Sequence, residues 1–233
     1  MSDALAGSFA ASGVVAALLH RERTGEGQQI DVSMADCLFA LLFDEPVDCY
    51  ERLNLATRQG NRIMRFSPFN IFKTTDGWIA IGTATEAEWR SLLDAMGRGD
   101  LKNNVNMMNF AWRLTHNDEV DAVIAAWTQT RSKAEVVDAL STARVPCSPV
   151  RSADEVMQWQ HLHERGMIAP LINPLTGAPA AARGPGFPLK FSRTPAGYDA
   201  PAPLPGAHSE EILMRYAGLD ADAVRDLRES KII

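Results

Sequence analysis

Asp3 is the first residue whose type and position suggest chemistry, because a long helix is predicted to begin there. The N–H groups of a first helical turn lack partners inside the helix, and the helix dipole favours negative charge at that end. An ionised carboxylate in such a place can act as a nucleophile. Aspartate is also a preferred capping residue, so its position alone favours a structural cap and leaves the nucleophile as the alternative.

Other residues with reactive side chains lack the neighbours that their chemistry would need. His161 and His163 form an H-x-H pair, but no cysteine or carboxylate cluster at ligand spacing completes a metal site, so no metal is predicted. Cys147 stands between Pro146 and Pro149, and no nearby sequence feature supplies the base of a nucleophilic cysteine. A structural role is expected for this thiol.

Two further stretches are better explained by structure than by catalysis. His208 precedes a predicted helix, where packing or capping is the expected role. Residues 24–28, TGEGQ, are rich in glycine, but they follow a helix instead of opening one. This order indicates a helix stop and not a phosphate-binding loop.

The overall composition excludes several classes of function. The chain has 233 residues, 46% of them hydrophobic, and a formal net charge of −6, which gives no electrostatic footprint for nucleic acid. Three cysteines form no disulfide framework and indicate a reducing compartment. No basic region precedes the first apolar stretch, and no run of 18 apolar residues occurs, so neither a signal peptide nor a membrane span is predicted. A cytoplasmic protein is expected.

The elements that position Asp3 are predicted to form an α/β unit. Small residues dominate a helix over 3–24, which Ser2 or Asp3 would cap. Alternating apolar residues at 28–34 predict a short strand. The sequence SMAD is typical of a capping box and predicts a second helix that continues to about Pro46.

The middle of the chain is predicted to be a compact α+β domain. Two apolar runs around TTDG predict a hairpin, and the capping boxes TEAE and SKAE open helices. A further helix is expected over 118–130, whereas the polar segment 98–117 is predicted as a loop with a short helical turn. An extended segment follows at 145–150.

The last part of the chain differs in character. A capping box, SADE, predicts a short helix over 152–158, and two short helices are expected at 209–217 and 220–229. Proline and glycine crowd 170–206, which predicts little secondary structure and a segment that wraps over another surface. The predicted organisation is a remnant of a large domain, a linker, a small α+β domain and a return segment, at 1–50, 51–65, 66–145 and 146–233.

These motifs in their order resemble the class III CoA-transferases, the family that includes formyl-CoA transferase, the carnitine/crotonobetaine enzymes and α-methylacyl-CoA racemase. The most specific piece is RERTGEGQQIDVS, and it follows DALAG at the start of the chain. Later pieces are SPFNIFKTTDGWIAIG, RVPCSPV, GPGFPLKFSRTP and LPGAHSEEIL. The resemblance covers essentially all 233 residues and implies the C-terminal part of that fold. A preceding Rossmann-like half with most of the CoA contacts is then expected to be absent from this chain.

The resemblance implies CoA transfer between an acyl-CoA and a carboxylic acid. Asp3 matches the family's catalytic aspartate, which forms a mixed anhydride and then an aspartyl-CoA thioester, and Met34 matches a position that lines the acyl site. With the resemblance, the nucleophile is favoured over the cap. The CoA thioester is a substrate, no permanently bound cofactor is expected, and the family implies an interlocked homodimer.

Departures from the family pattern leave alternatives open. The run of glycines that precedes the small-domain hairpin in formyl-CoA transferase is reduced here to Gly60, which argues against oxalate as acceptor. An isomerase of the racemase type uses the same aspartate with a histidine from the absent half. A chain without that half is also compatible with a non-catalytic remnant that acts as an assembly module. Arg58, Arg62 and Arg65 are expected to be solvated linker charges.

Overall fold

The structure, a computed structural model, describes residues 1–42, 58–63, 65–198 and 200–233. The chain forms two compact units, Met1–Pro149 and Val150–Ile233. The finer boundaries predicted at residues 50, 65 and 145 stay predictions.

The chain opens with a long helix, α1 (Ser2–Thr24), as its alanine-rich sequence predicts. It ends at Gly25, which adopts the left-handed conformation (φ 81°) and donates its N–H to Arg21 O at 2.8 Å. The predicted capping by Ser2 or Asp3 is wrong. Because the helix begins at Ser2, Met1 takes the capping position without a side-chain hydrogen bond, and Asp3 lies inside the first turn.

The strand predicted at 28–34 does not form. This segment is irregular, and the second helix, α2 (Met34–Ala40), follows it and packs against α1. An extended segment needs a neighbouring strand to pair its backbone groups, and the described part of this region offers none. The Oγ atom of Ser33 accepts from the N–H of Asp36 at 3.2 Å, so the predicted cap of α2 is confirmed. The prediction that α2 continues to about Pro46 is wrong for the described residues, because the helix ends at Ala40 and residues 41 and 42 form a turn. Residues 43–46 lie outside the described residues.

A three-stranded sheet forms the centre of the small domain, with the order β1–β2–β3. The predicted hairpin is confirmed: β1 pairs antiparallel with β2, and Thr74 lies opposite Gly77 at the turn. The expected extended segment after the last helix of this domain is strand β3. The strands are β1 (Phe69–Thr74), β2 (Gly77–Gly82) and β3 (Cys147–Val150).

Helices pack on this sheet, and two of them begin with the predicted caps. The capping boxes at Thr85 and Ser132 are both complete. The segment 98–117 holds more helix than expected, because the side chain of Asn109 accepts from the N–H of Trp112 and caps a helix there. The elements are α3 (Glu86–Ala95), a 3₁₀ helix (Gly99–Asn103), α4 (Phe110–Thr115), α5 (Asn117–Thr128) and α6 (Lys133–Thr142).

One contiguous core fills the space between sheet and helices. Its largest member is Trp89, which is fully buried and donates its indole N–H to Met107 O at 2.8 Å. The other fully buried side chains come from β2, α3, α5 and α6: Ile79, Ile81, Leu92, Leu93, Val120, Ile124, Val136 and Leu140. This burial supplies the main favourable term for folding of the domain.

A charged residue, Arg113, is almost completely enclosed beside this core, with 1% of its surface exposed. Its guanidinium donates to Ser67 O at 3.2 Å and to Met107 O at 2.8 Å, and it forms an ion pair with Glu86. The same group lies 5.1 Å from the ring centre of Trp89. Each nitrogen of the guanidinium therefore has a hydrogen-bond partner, and the loops before β1 and after α3 are joined through it.

The second unit contains a hairpin that was not predicted, because its segment is rich in proline. Strands β4 (Ile168–Ile172) and β5 (Pro179–Pro185) pair antiparallel, so the prediction of little secondary structure across 170–206 is wrong for this part. A two-stranded sheet leaves a free edge on each strand, where proline is tolerated. The helices are α7 (Ala153–Met157), α8 (Gln160–Glu164), α9 (Ser209–Tyr216) and α10 (Ala221–Glu229); all but α8 were predicted.

Replacement of Arg113 by methionine is expected to lower the free energy of unfolding by about 2–4 kcal/mol. The variant leaves the carbonyl of Ser67 without a donor, removes one of the two donors to Met107 O and leaves Glu86 without its partner. Urea unfolding followed by tryptophan fluorescence measures the change. The matched control is Arg98→Met, which removes an exposed pair with Asp100 and is expected to cost less than about 0.5 kcal/mol. Equal losses in the two variants would contradict the assigned role of Arg113.

Candidate functional site

Asp3 lies in the first turn of α1 with its side chain exposed. It forms no hydrogen bond or ion pair with any residue that the structure describes. The capping alternative for this residue is therefore wrong in the form predicted, because its carboxylate accepts from no backbone N–H of the helix. Among the described residues the carboxylate therefore has no partner, and it lies at the positive end of a 23-residue helix.

Met34 is the first residue of α2, directly after the capping Ser33. Half of its surface is exposed (51%), so it is not part of the core that the described residues form. Helices α1 and α2 pack against each other, which places the two candidate residues on contacting elements. Within the described chain, no hydrogen bond links Asp3 to the region around Met34.

Apolar side chains are exposed on both helices. On α1, Val14 and Leu18 form one pair four residues apart, and Val15 and Leu19 form another, with 46–66% of each surface exposed. Leu38 and Phe39 continue the exposed apolar surface on α2. No residue of α1 is buried. This combination is typical of a surface that another polypeptide covers.

The same helix meets the length and composition limits of a membrane-spanning helix. Its best 18-residue window has a mean hydropathy of 1.5, and none of that window is buried. Core helices of soluble proteins and signal sequences meet these limits as well. This property is weak evidence for a membrane location.

The histidines considered for metal binding make local contacts instead. The Nε2 atom of His163 lies 2.9 Å from Met157 O, and the ring of His161 lies against Trp159 with a centroid distance of 5.1 Å. Across the described ranges, no group of three or more His, Cys, Asp or Glu side chains is arranged to hold a metal ion. His208 occupies the capping position of α9 without a side-chain hydrogen bond.

Cys147 begins strand β3 and is half-buried. Burial raises the pKa of its thiol, and a hydrogen bond with the side chain of Ser141 opposes this only in part. A nucleophilic cysteine needs a lowered pKa. The geometry therefore agrees with the structural role that the sequence predicted.

One charged cluster was not expected from the sequence. Arg62 donates to Asp121 at 2.8 Å and to Asp118 at 2.7 Å, so its prediction as a solvated linker charge is wrong. Asn70 donates to the same Asp121 oxygen at 2.8 Å, while the other oxygen, Oδ1, is buried without a hydrogen-bond partner. The two aspartates lie three residues apart on one face of α5, and this spacing could have predicted an acidic site for a basic side chain.

Comparisons with a family model and with curated proteins both match this chain to CoA-transferases. The model of CoA-transferase family III matches residues 1–209. The chain is 29% identical over 236 residues to the succinyl-CoA–L-malate CoA-transferase beta subunit of Chloroflexus aurantiacus, with 100% of this chain and 58% of that protein covered. It is 32% identical over 215 residues to the succinyl-CoA:mesaconate CoA-transferase of Haloarcula marismortui, with 92% and 53% covered.

Solved structures show the same fold. A CAIB/BAIF family protein from Brucella suis superposes with a TM-score of 0.67 at 23% identity over 94% of this chain and 55% of that one. Rv3272 from Mycobacterium tuberculosis superposes with a TM-score of 0.74 at 23% identity over 91% and 55%. The chain thus spans about half the length of the relatives that it matches, and its fold corresponds to a C-terminal part of theirs.

The raised pKa of Cys147 predicts slow alkylation. In a variant with Cys37 and Cys49 replaced by alanine, the iodoacetamide rate is expected to reach half its maximum at a pH above that of free cysteine, because less thiolate exists at any lower pH. Replacement of Ser141 by alanine is expected to raise this midpoint further. The same protein in urea is the control. A midpoint below that of the unfolded control would restore Cys147 as a candidate nucleophile.

Proposed function

Because the chain belongs to CoA-transferase family III, we propose that it takes part in the transfer of CoA between an acyl-CoA thioester and a carboxylic acid. The observation that supports this most strongly is the position of Asp3. The residue that matches the family's aspartate is an exposed carboxylate in the first turn of α1, without a structural partner among the described residues. Such a carboxylate is available for covalent chemistry.

The proposed reaction has four steps, and the covalent bond to the Asp3 carboxylate changes in each of them. Its carboxylate attacks the donor thioester, which releases CoA thiolate and leaves a mixed anhydride. The thiolate attacks the aspartyl carbonyl of that anhydride, so the donor acid leaves and an aspartyl-CoA thioester forms. The acceptor carboxylate then displaces CoA thiolate and forms a second anhydride. Attack of the thiolate on the acceptor acyl carbon gives the new acyl-CoA and regenerates the Asp3 carboxylate.

The names of the relatives suggest the substrate class. Four of them are named for succinyl-CoA with malate, mesaconate or citramalate as the second substrate, and another for succinate and glutarate. We extend the proposal to short dicarboxylic acids as donors and acceptors. Met34, half exposed at the start of α2, is proposed to line the acyl site.

We further propose that the apolar surface of α1 and α2 is covered in an assembly that includes a second copy of the chain. One relative is named as a beta subunit, which places that protein in a larger assembly. Exposed pairs such as Val15 and Leu19 have the character of an interface. The sparse cysteine content favours a reducing compartment, so we propose the cytoplasm as the location.

Replacement of Asp3 by asparagine is expected to lower CoA transfer from succinyl-CoA by about a thousandfold or more, because the amide keeps the shape but is not a nucleophile. Transfer to malate, mesaconate and glutarate is measured for the chain alone and for a fusion with the part of the Haloarcula marismortui relative that it does not match. The matched control is Asp31→Asn, an exposed aspartate in the irregular segment between α1 and α2, with an expected change below about twofold.

Three results would contradict the proposal. The first is the absence of transfer by both unchanged proteins, and the second is substantial turnover by Asp3→Asn. The third is exchange of the α-proton of a 2-methylacyl-CoA without CoA transfer, which would assign an isomerase instead.

Replacement of Val15 by lysine is expected to weaken assembly, because it places a charge within the apolar surface of α1. Light scattering measures the mean mass of the unchanged chain and of the variant across a dilution series. The control is Val105→Lys, at a position that is 82% exposed and outside this surface. A monomer at every concentration for the unchanged chain, or equal effects of both variants, would contradict the interface.

A further inference from the structure

The second unit contains a cavity of about 730 Å³ that lies outside the candidate site of Asp3 and Met34. Among the described residues, its walls come from the hairpin β4–β5 and its flanks and from the segments 186–198 and 200–202. Cavities that hold small organic ligands have volumes of roughly 300–1,000 Å³. The volume is therefore suited to a small molecule.

Most of the described side chains that line the cavity are apolar. Pro170, Leu171 and Ile172 of β4 line it together with Phe187. Among the described lining residues, Lys190 bears the only charge and Tyr198 the only hydroxyl group. Apolar walls with a few polar groups at defined points are typical of ligand sites.

Backbone contacts hold the cavity in shape. Gly186, a lining residue, donates its N–H to Met167 O at 2.8 Å. A Cβ atom on Gly186 would lie 2.0 Å from Gly166 O, so only glycine permits this approach of the two segments. The rings of Phe187 and Tyr198 meet edge to face with a centroid distance of 6.1 Å, which connects the two walls.

Lys190 is held at the wall in a defined position. Its ammonium group donates to Phe187 O at 2.9 Å, and it forms no ion pair with any described residue. An ammonium group has three N–H donors, and the described residues accept from one of them, which leaves two for a ligand. These donors favour an anion, and a single charge beside apolar walls matches one carboxylate better than a phosphate or a dicarboxylate.

We propose that this cavity binds a monocarboxylic acid with an unbranched apolar chain. The chain lies against Leu171, Ile172 and Phe187, and the carboxylate accepts hydrogen bonds from Lys190 and Tyr198. This binding is independent of acyl transfer at Asp3, because it uses only residues of the second unit. A protein without CoA-transferase activity would still bind the acid.

Titration of the full chain with hexanoate, octanoate and decanoate, followed by methyl NMR of Leu171 and Ile172, tests the proposal. Each added methylene is expected to tighten binding by about fourfold. Octanoate is expected to bind Lys190→Met about tenfold more weakly than the unchanged chain, whereas octan-1-ol binds both equally. The matched control is Lys73→Met, an exposed lysine of β1, which is expected to leave octanoate binding unchanged.

A second variant, Ala169→Leu, fills the cavity from β4 and is expected to weaken octanoate and octan-1-ol alike. Circular dichroism confirms that each variant is folded. The proposal is overturned if the methyl signals of Ile172 do not respond, or if Lys190→Met binds octanoate as tightly as the unchanged chain. It is also overturned if these signals shift with protein concentration instead of ligand, because a second copy of the chain then occupies the cavity.

Discussion

The small domain depends on one buried charge, the guanidinium of Arg113. It connects Ser67, Met107 and Glu86, which belong to three separate parts of the chain, and it lies over the buried ring of Trp89. A charge enclosed to this extent is tolerated only when each donor has a partner, so these segments must all reach their positions together. The hairpin and α3 are fixed relative to each other through this requirement.

A second ionic contact fixes the segment that enters the domain. Arg62 is held between Asp118 and Asp121 of α5, and Asn70 at the start of the sheet shares the same carboxylate. Partial burial lowers the pKa of Arg62, but the hydrogen bonds and charges of Asp118 and Asp121 together outweigh it, so the pKa is raised above its ordinary value. The segment that contains Arg62 is therefore attached to α5 through these contacts and is not a free linker.

Short-range sequence patterns predicted most of the helices and strands of this domain. They did not predict the contacts between residues that are far apart in the sequence. The caps at Thr85 and Ser132 and the turn before Gly77 are short-range patterns, and each was found where expected. The partners of Arg113 lie up to 46 residues away, which no spacing rule reveals. The strand predicted at 28–34 does not form for the converse reason: the alternation is present, but the described residues offer it no partner strand.

At the candidate site, too, the sequence and the structure supply different information. The sequence resemblance identified Asp3, but only the structure shows that its carboxylate has no structural partner in the described chain. In the proposed reaction this carboxylate and the apolar surfaces of α1 and α2 belong together, because a nucleophile that forms anhydrides must be protected from water. In this proposal, a polypeptide that covers the apolar surface of α1 and α2 also keeps water away from the anhydride at Asp3.

Chemical trapping of the covalent intermediate tests the nucleophile most directly. The chain, alone and in its fusion, is incubated with succinyl-CoA and treated with borohydride, which reduces an aspartyl thioester to an alcohol. Peptide mass spectrometry then locates the modified residue. The account predicts that Asp3 is converted to homoserine only when succinyl-CoA is present. A modified residue elsewhere in the chain, or an unmodified Asp3 during active turnover, would contradict it.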